Sequence, residues 1–333
     1  MPKPRDKTDP VDAHLRRLAG LSDEPTTPSL CDELRRCLSS ASNLVIGKAV
    51  EIIGERELTE FAAELAELLR QLMSLPTEAA TQRDQGCVAK IAVIDTLARL
   101  GHDDPDLFLT GMKYVQFDPG WPSSDSGVNV RGASALALAR SWRIGVNEKL
   151  IAMTELLNDL ERSGRVHAVH AIAEVGHECV IPLLRVKAQC GDGEPEVIGA
   201  CFSALLRIAK QDAIAFVAGY LSCGGPVAVE AAASLGESGL PPAIQILIQF
   251  WSHTDDPSFK DDLLSSLGLS RHPAAIEFLI SKLNPVTKFS EPALRALAPL
   301  RFYPDVRERI RATVQSANHR RIQAMFDELF QLS

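Results

Sequence analysis

The sequence has few aromatic residues and no long apolar run, and both absences narrow the class of protein. Phe, Trp and Tyr make up only 5% of the 333 residues, so the apolar content comes mainly from Ala, Leu, Ile and Val in short segments. No segment approaches the roughly 20 apolar residues of a membrane-spanning helix, and the opening stretch, MPKPRDKTDPVD, lacks the apolar region of a secretion signal. We therefore expect a cytoplasmic protein without membrane contact.

Excess positive charge and paired cysteines are also missing. The formal net charge is −8, which argues against nucleic acid as the main partner because phosphate binding needs a surplus of Lys and Arg. Seven cysteines are an odd number, and none form a C-x-x-C pair, so we expect reduced thiols in the core. Neither a P-loop nor a G-x-S-x-G motif occurs. We expect no enzymatic activity, cofactor or bound metal.

What the sequence does contain is an internal repeat. Seven segments align on an apolar anchor residue, and the anchors recur on average every 33 residues or so, a spacing typical of helical hairpins. The anchors are Leu97, Leu138, Ile172, Leu205, Ala232, Leu264 and Leu297. A mostly small residue precedes each anchor, which allows a neighbouring helix to approach closely. Four segments are followed by glycine, which predicts helix C-caps with positive φ at Gly101, Gly176, Gly236 and Gly268.

With these repeats the chain resembles the HEAT and armadillo-like superfamily, in its short-repeat bacterial form. Residues 130–139, VRGASALALA, carry the V-R-x-x-A-x-x-A-L pattern best, with Ser134 where Ala is usual. The resemblance covers about residues 29–333 and implies an all-α, right-handed α-solenoid of about eight antiparallel hairpins. Residues 1–28 are expected to form a flexible tail with a short helix around residues 11–19. At Lys260, a charge at a core position predicts a shifted register or loose packing.

In such a solenoid the residues two before and two after each anchor point away from the core. The first half of the array carries six charged or histidine side chains there: Asp95, Arg99, Arg140, His170, Glu174 and Arg207. The three arginines suit bidentate capture of carboxylates, so we expect an acidic protein or peptide segment to bind along the concave face of a scaffold or adaptor. Arg131 is a further candidate contact. The alternative is a solvated surface of intramolecular ion pairs.

The longest interval between anchors holds a turn-rich insertion, FDPGWPSSDSG, at residues 117–127. Such loops project from a scaffold, and Phe117 and Trp121 are candidate aromatic contacts for a partner. Alternatively, Trp121 packs back onto the helices. A second hypothesis is a lyase-like enzyme or cofactor chaperone that binds a small ligand near this loop, because the superfamily includes phycobilin lyases.

A histidine cluster raises the question of metal binding. His167, His170, Glu174 and His177 are spaced to share one side of a helix, but three ligands from one helix rarely converge on a metal. Deoxyhypusine hydroxylase, an iron-binding relative of these repeats, uses several His-Glu dipeptides, whereas this chain has only His177-Glu178. We therefore expect surface histidines and no hydroxylase activity.

Overall fold

The computed structural model describes residues 10–21, 26–119, 124–176 and 178–331, and these are overwhelmingly helical. The all-α prediction is thereby confirmed. The α-helices are α1 (Pro10–Leu21), α2 (Pro28–Leu38), α3 (Asn43–Glu55), α4 (Ala62–Ser74), α5 (Thr77–Arg83), α6 (Val88–Arg99), α7 (Pro105–Gly111), α8 (Gly127–Arg140), α9 (Val146–Leu156), α10 (Arg162–Val175), α11 (Val180–Cys190), α12 (Pro195–Ala209), α13 (Gln211–Ala218), α14 (Gly225–Glu237), α15 (Pro241–His253), α16 (Pro257–Ser270), α17 (Pro273–Ser281), α18 (Ser290–Leu297), α19 (Pro304–Ala317) and α20 (Arg320–Leu329).

The strands of the described chain belong to one short ribbon inside the insertion. β1 (Phe117–Asp118) pairs antiparallel with β2 (Ser124–Asp125), and Phe117 lies opposite Asp125. Short 3-10 helices occur at Thr59–Phe61, Gln85–Cys87, Gly219–Cys223 and Ala298–Phe302. None of the described helices has the length and apolar character needed to cross a membrane.

Proline explains where many of the helices begin. Its fixed φ and missing N–H suit the first helical turn, and proline opens α1, α2, α7, α12, α15, α16, α17 and α19. Side chains cap several of the same ends: the Asp104 carboxylate accepts a hydrogen bond from the Leu107 N–H, and Asp256 accepts from Ser258 and Phe259. Much of the proline content therefore sets helix boundaries.

The chain divides into two compact units, Met1–Val175 and Gly176–Ser333, at a boundary that the repeat pattern does not predict. In the first unit α6 packs against α3 on one side and α8 on the other, and α8 packs against α10. In the second unit α12, α14, α16 and α18 follow one another in the same way. Within each unit, a second helix packs against members of this series, as α9 does against α10 and α15 against α16.

The anchor residues occupy the core of both units. They lie on α6, α8, α10, α12, α14, α16 and α18, and each side chain is at most 1% exposed. The predicted register of the seven helices is thus confirmed. Burying one such aliphatic side chain stabilises the fold by about 1.5–3 kcal/mol relative to leaving it exposed.

Two of the four predicted C-cap glycines have a different role. Gly101 and Gly176 have a φ of 69° each, as expected for a helix end, but Gly236 and Gly268 lie inside α14 and α16. A Cβ atom at Gly236 would collide with the Ser266 carbonyl on α16, and one at Gly268 with the Ala296 carbonyl on α18. These two glycines allow neighbouring helix backbones to approach closely.

Three further expectations need adjustment. Lys260 causes no register shift, because Leu264 is fully buried and the Lys260 ammonium lies 4.8 Å from the centroid of the Trp251 ring. The seven cysteines, all within the described residues, form no disulfide, but only Cys37, Cys87 and Cys201 are buried. In the N-terminal segment, α1 packs on α3, and its Leu18 is 1% exposed; residues 1–9 and 22–25 lie outside the described residues.

Candidate functional site

The exposed side of α6, α8 and α10 in the first unit carries five of the predicted contact residues. Asp95 and Arg99 lie on α6, Arg140 on α8, and His170 and Glu174 on α10. Asp95, Arg99, Arg140 and His170 are exposed, and Glu174 is half-buried. We call this surface the α6–α10 face.

Arg140 forms an ion pair across two helices of this face. Its Nε lies 2.9 Å from Oε1 of Glu174, and 58% of the Arg140 side chain is exposed. Arg140 thus forms the intramolecular ion pair that the sequence analysis gave as the alternative to partner binding. Exposed pairs of this kind contribute only about 0–1 kcal/mol, so a carboxylate from a partner can compete for the guanidinium at little cost.

Asp95 and Arg99 form the second charged site on the face. Partial burial raises the pKa of the Asp95 carboxyl, and the positive charges of Arg99 and Arg140 act in the opposite direction. Arg99 is exposed and makes no ion pair with another described residue. Its guanidinium is therefore open to an anionic group from outside the chain.

A groove that the sequence did not predict adjoins Arg99. It has a volume of about 640 Å³ and lies between α1, α3 and α6. Apolar side chains from all three helices line it, and they are Leu15, Leu44, Val88 and Ile91. Lys48, Glu51, Asp95 and Arg99 supply its charged wall. We call it the α3–α6 groove.

Two apolar residues of this groove are unusually accessible. Leu44 is 49% exposed, although the other apolar residues of α3 are buried, and Val88, at the start of α6, is 38% exposed. The sequence signal was present, because α3 carries apolar residues on more than one face. Exposed apolar side chains in a groove offer surface that a partner can bury.

Arg207, the third arginine of the predicted ladder, belongs to the second unit. It is exposed near the end of α12 and forms no ion pair with a described residue. Only Arg99 and Arg140 therefore share one unit, and the candidate site on the first unit is built from these two.

Arg131 is buried and holds the insertion in place. Its side chain lies 2.8 Å from Oδ2 of Asp125 and 2.6 Å from Oδ2 of Asp159, and it also donates to the Tyr114 carbonyl. Only 7% of Arg131 is exposed. Its guanidinium is engaged within the chain, so Arg131 anchors β2 to α8 and does not belong to the accessible surface.

A second buried network fixes β1. Lys90 and Asp84 are both fully buried, with Nζ 3.1 Å from Oδ2, and Lys90 also donates to Oε1 of Gln116. The Gln116 amide donates to Oδ1 of Asp118 in β1. Burial opposes ionisation of Asp118, but hydrogen bonds from Ser126, Gln116 and the Gly86 N–H outweigh it and lower the pKa of its carboxyl. The base of the insertion is therefore rigidly connected to α6.

The remaining predicted contacts fall on or beside this insertion. Phe117, in β1, is 55% exposed and thus open to a partner, while Trp121 lies outside the described residues. A cavity of about 190 Å³ beside Arg131 and Asp159 is lined by Leu109, Met112 and other residues. It is smaller than the pockets of about 300–1,000 Å³ that hold drug-sized ligands.

The histidines of the predicted cluster do not share one environment. His167 packs against Gly132 of α8, and burial, together with the nearby His170, lowers its pKa. His170 is exposed, and His177 lies outside the described residues. Among the side chains that the structure describes, no group of three or more His, Cys, Asp and Glu has a geometry that could hold a metal ion.

Comparisons with known proteins assign no family. No family model and no curated protein matches the chain. Among solved structures, the chain is similar to one described as an engineered protein, with 14% sequence identity and a TM-score of 0.38 over 97% of this chain and 95% of that chain. A likeness of this degree indicates neither a family nor a function.

Proposed function

We propose that the chain is a non-catalytic protein-binding scaffold or adaptor, built as a HEAT-like or armadillo-like α-solenoid. The seven buried anchors at nearly regular spacing support the repeat architecture. Repeats of this type place successive helices side by side, and the exposed edges of those helices form an extended surface for another protein.

The observation that carries this proposal is the position of the α3–α6 groove beside the α6–α10 face. The groove offers Leu44 and Val88 as accessible apolar side chains, and Arg99 lies on its wall. Arg140 follows on the adjacent helix α8. Apolar and cationic groups thus lie next to each other, as the recognition of an amphipathic segment requires.

The partner that fits this surface is a protein segment with apolar and acidic side chains. Its apolar residues pack against Leu44 and Val88, and its carboxylates bind the guanidinium groups of Arg99 and Arg140. An arginine accepts a carboxylate with two parallel hydrogen bonds, which gives geometric specificity as well as affinity. The exposed Arg140–Glu174 pair is exchanged for a pair with the partner.

A pull-down from native cell extract tests the proposal. The intact protein is compared with the Arg99→Glu/Arg140→Glu variant and with Arg271→Glu/Arg320→Glu, a control that changes the charge equally at two exposed positions of the second unit. We expect a partner that the wild type and the control retain and the groove-side variant loses. Equal recovery by all three proteins would contradict the proposed surface.

A small ligand near residues 117–127 is the second hypothesis, and no specific observation favours it. The buried charges beneath the insertion are paired with each other, as Arg131 is with Asp125 and Asp159. The adjacent cavity is small. The protein-binding proposal therefore takes precedence.

A further inference from the structure

A second groove lies in the other unit, and the charged residues that line it are all acidic, whereas those of the first groove are mixed. It has a volume of about 710 Å³ and is formed by the 3-10 helix Gly219–Cys223 and by α14, α15 and α16. Its apolar lining residues are Leu221, Val229, Phe250 and Phe259. Three carboxylates, Glu230, Asp256 and Asp262, line the same groove. We call it the α14–α16 groove.

Two of these carboxylates have no cationic partner in the part of the chain that the structure describes. Neither Glu230 nor Asp262 forms an ion pair with a Lys or Arg among the described residues. Burial raises the pKa of the Glu230 carboxyl, and the negative charges of Glu196 and Glu237 add to the effect. Burial likewise raises the pKa of Asp262, with Asp261 and Asp256 contributing. The charges around both groups thus oppose ionisation, and a cation brought to the groove would favour it.

Asp256 is different, because the fold already uses it. Its Oδ1 accepts the backbone N–H of Ser258 at 2.9 Å and that of Phe259 at 3.4 Å, which caps the start of α16. It therefore contributes negative charge to the groove while its hydrogen-bonding capacity is partly occupied. Glu230 and Asp262 remain as the carboxylates available to a ligand.

The floor of the groove is aromatic. The Phe250 and Phe259 rings lie 5.8 Å apart between centroids and meet edge to face, at 85°. Phe259 is almost fully buried, whereas Phe250 keeps part of its surface accessible. An apolar side chain that enters the groove can extend this aromatic contact and bury further surface.

These features narrow the chemical class of the occupant. Within the described residues no group of three or more His, Cys, Asp and Glu has the geometry to hold a metal ion, so a metal is a poor fit. A guanidinium or ammonium group can bind a single carboxylate from the side or bridge two. An apolar side chain next to that cation in the occupant would pack on the aromatic floor of the groove.

We propose that the α14–α16 groove binds a basic segment of a partner protein, with Lys or Arg side chains on the carboxylates of Glu230 and Asp262 and a neighbouring apolar side chain on Phe250 and Phe259. The inference goes beyond the proposed function, because it concerns a separate, acidic surface in the second unit. It does not require that an acidic segment binds the α6–α10 face.

Selection from a displayed random-peptide library against the full chain tests this inference. We expect enriched peptides that combine a Lys or Arg with a large apolar residue. Their affinity is then measured for the wild type, for Glu230→Gln/Asp262→Asn, and for Asp327→Asn/Glu328→Gln. The last variant removes the same charge from two exposed positions of α20 in the same unit.

The groove variant should bind these peptides at least about tenfold more weakly, a loss of about 1.4 kcal/mol, while the α20 variant binds as the wild type does. Melting curves establish that both variants are folded. A selection that yields no peptide or only peptides without Lys and Arg would overturn the proposal, as would equal weakening in both variants. Self-association of the wild type that the groove variant abolishes would assign the groove to a second copy of the chain and also overturn it.

Discussion

Lys90 shows at the scale of one residue how the insertion is tied to the helices. The side chain is fully buried, and its ammonium contacts Asp84 and Gln116, each at 3.1 Å. Asp84 in turn accepts hydrogen bonds from the backbone N–H groups of Ala89 and Lys90 at the start of α6. The buried ion pair thus holds the start of α6, and the hydrogen bond from Lys90 to Gln116 joins it to the segment that leads into β1.

Replacing Lys90 by Met should therefore destabilise the protein strongly. The Asp84 carboxylate would remain buried without its cation, and breaking a buried pair in this way costs about 3–5 kcal/mol. Urea unfolding of the wild type and the variant measures the change.

The double variant Asp84→Asn/Lys90→Met is the matched control. It leaves no unpaired charge, so it should be more stable than Lys90→Met alone. A loss below about 1 kcal/mol for the single variant, the size expected of an exposed pair, would contradict the buried ion pair.

The sequence did not predict that some charged residues would be buried. The anchors were predictable because an apolar residue repeated at helical spacing has one plausible environment, the core. Lys90, Asp84 and Arg131 have no such signal, since a charged residue in a helical sequence is ordinarily placed on the surface. Only the tertiary contacts of the insertion give these three residues their partners.

Helix packing in the second unit depends on close approach at glycine. Gly236 on α14 lies against the Ser266 carbonyl of α16. The sequence alone cannot distinguish a glycine that allows such a contact from a glycine that caps a helix. Both roles place a glycine near the end of an apolar helical segment. The sequence therefore located the position correctly and predicted the wrong reason for it.

Gly236→Ala should destabilise the protein by about 1–3 kcal/mol, because the added methyl group forces α14 and α16 apart. The control is Gly219→Ala, since a Cβ at Gly219 meets no atom within 4 Å. Thermal unfolding compares the two variants with the wild type. A Gly236→Ala protein as stable as Gly219→Ala would contradict the close helix approach.

The carboxylates of the α14–α16 groove make the stability of the fold depend on pH. The pKa values of Glu230 and Asp262 are raised above their ordinary values of 4.5 and 3.8 by burial and by neighbouring acids, among them Glu196, Glu237, Asp256 and Asp261. A carboxyl with a raised pKa in the folded state stabilises the fold below the pKa of the unfolded chain. That contribution is lost as the pH rises through the raised folded value.

At pH 7 the Glu230→Gln/Asp262→Asn variant should therefore melt at a higher temperature than the wild type. The difference should shrink as the pH falls through the raised pKa values of the folded protein, and it should vanish below 4.5 and 3.8, the ordinary pKa values of the two carboxyls, because both proteins are then neutral at these positions. Calorimetry over this pH range measures the effect. A variant that is less stable at neutral pH and equally so in acid would show that these carboxylates stabilise the fold.

At the scale of the whole molecule, the chain carries two candidate docking surfaces, one with mixed charges that include two exposed arginines and one whose charged residues are all acidic. The first unit presents Arg99 and Arg140 beside an apolar groove, and the second presents Glu230 and Asp262 beside another. The charged columns beside the anchors were visible in the sequence. The two grooves were not, because their apolar walls come from helices that only the fold brings together.

The central claim is that a protein segment binds at the α3–α6 groove, and site-specific photocrosslinking in the native cell tests it most directly. A photoreactive amino acid replaces Val88 in the groove in one protein and Leu160 in another. Leu160 is 97% exposed and does not line the groove. We predict a defined crosslinked protein from position 88 that disappears when Arg99→Glu/Arg140→Glu is added, and none from position 160. The same crosslinked proteins from both positions, or an unchanged product after the charge reversal, would contradict the account.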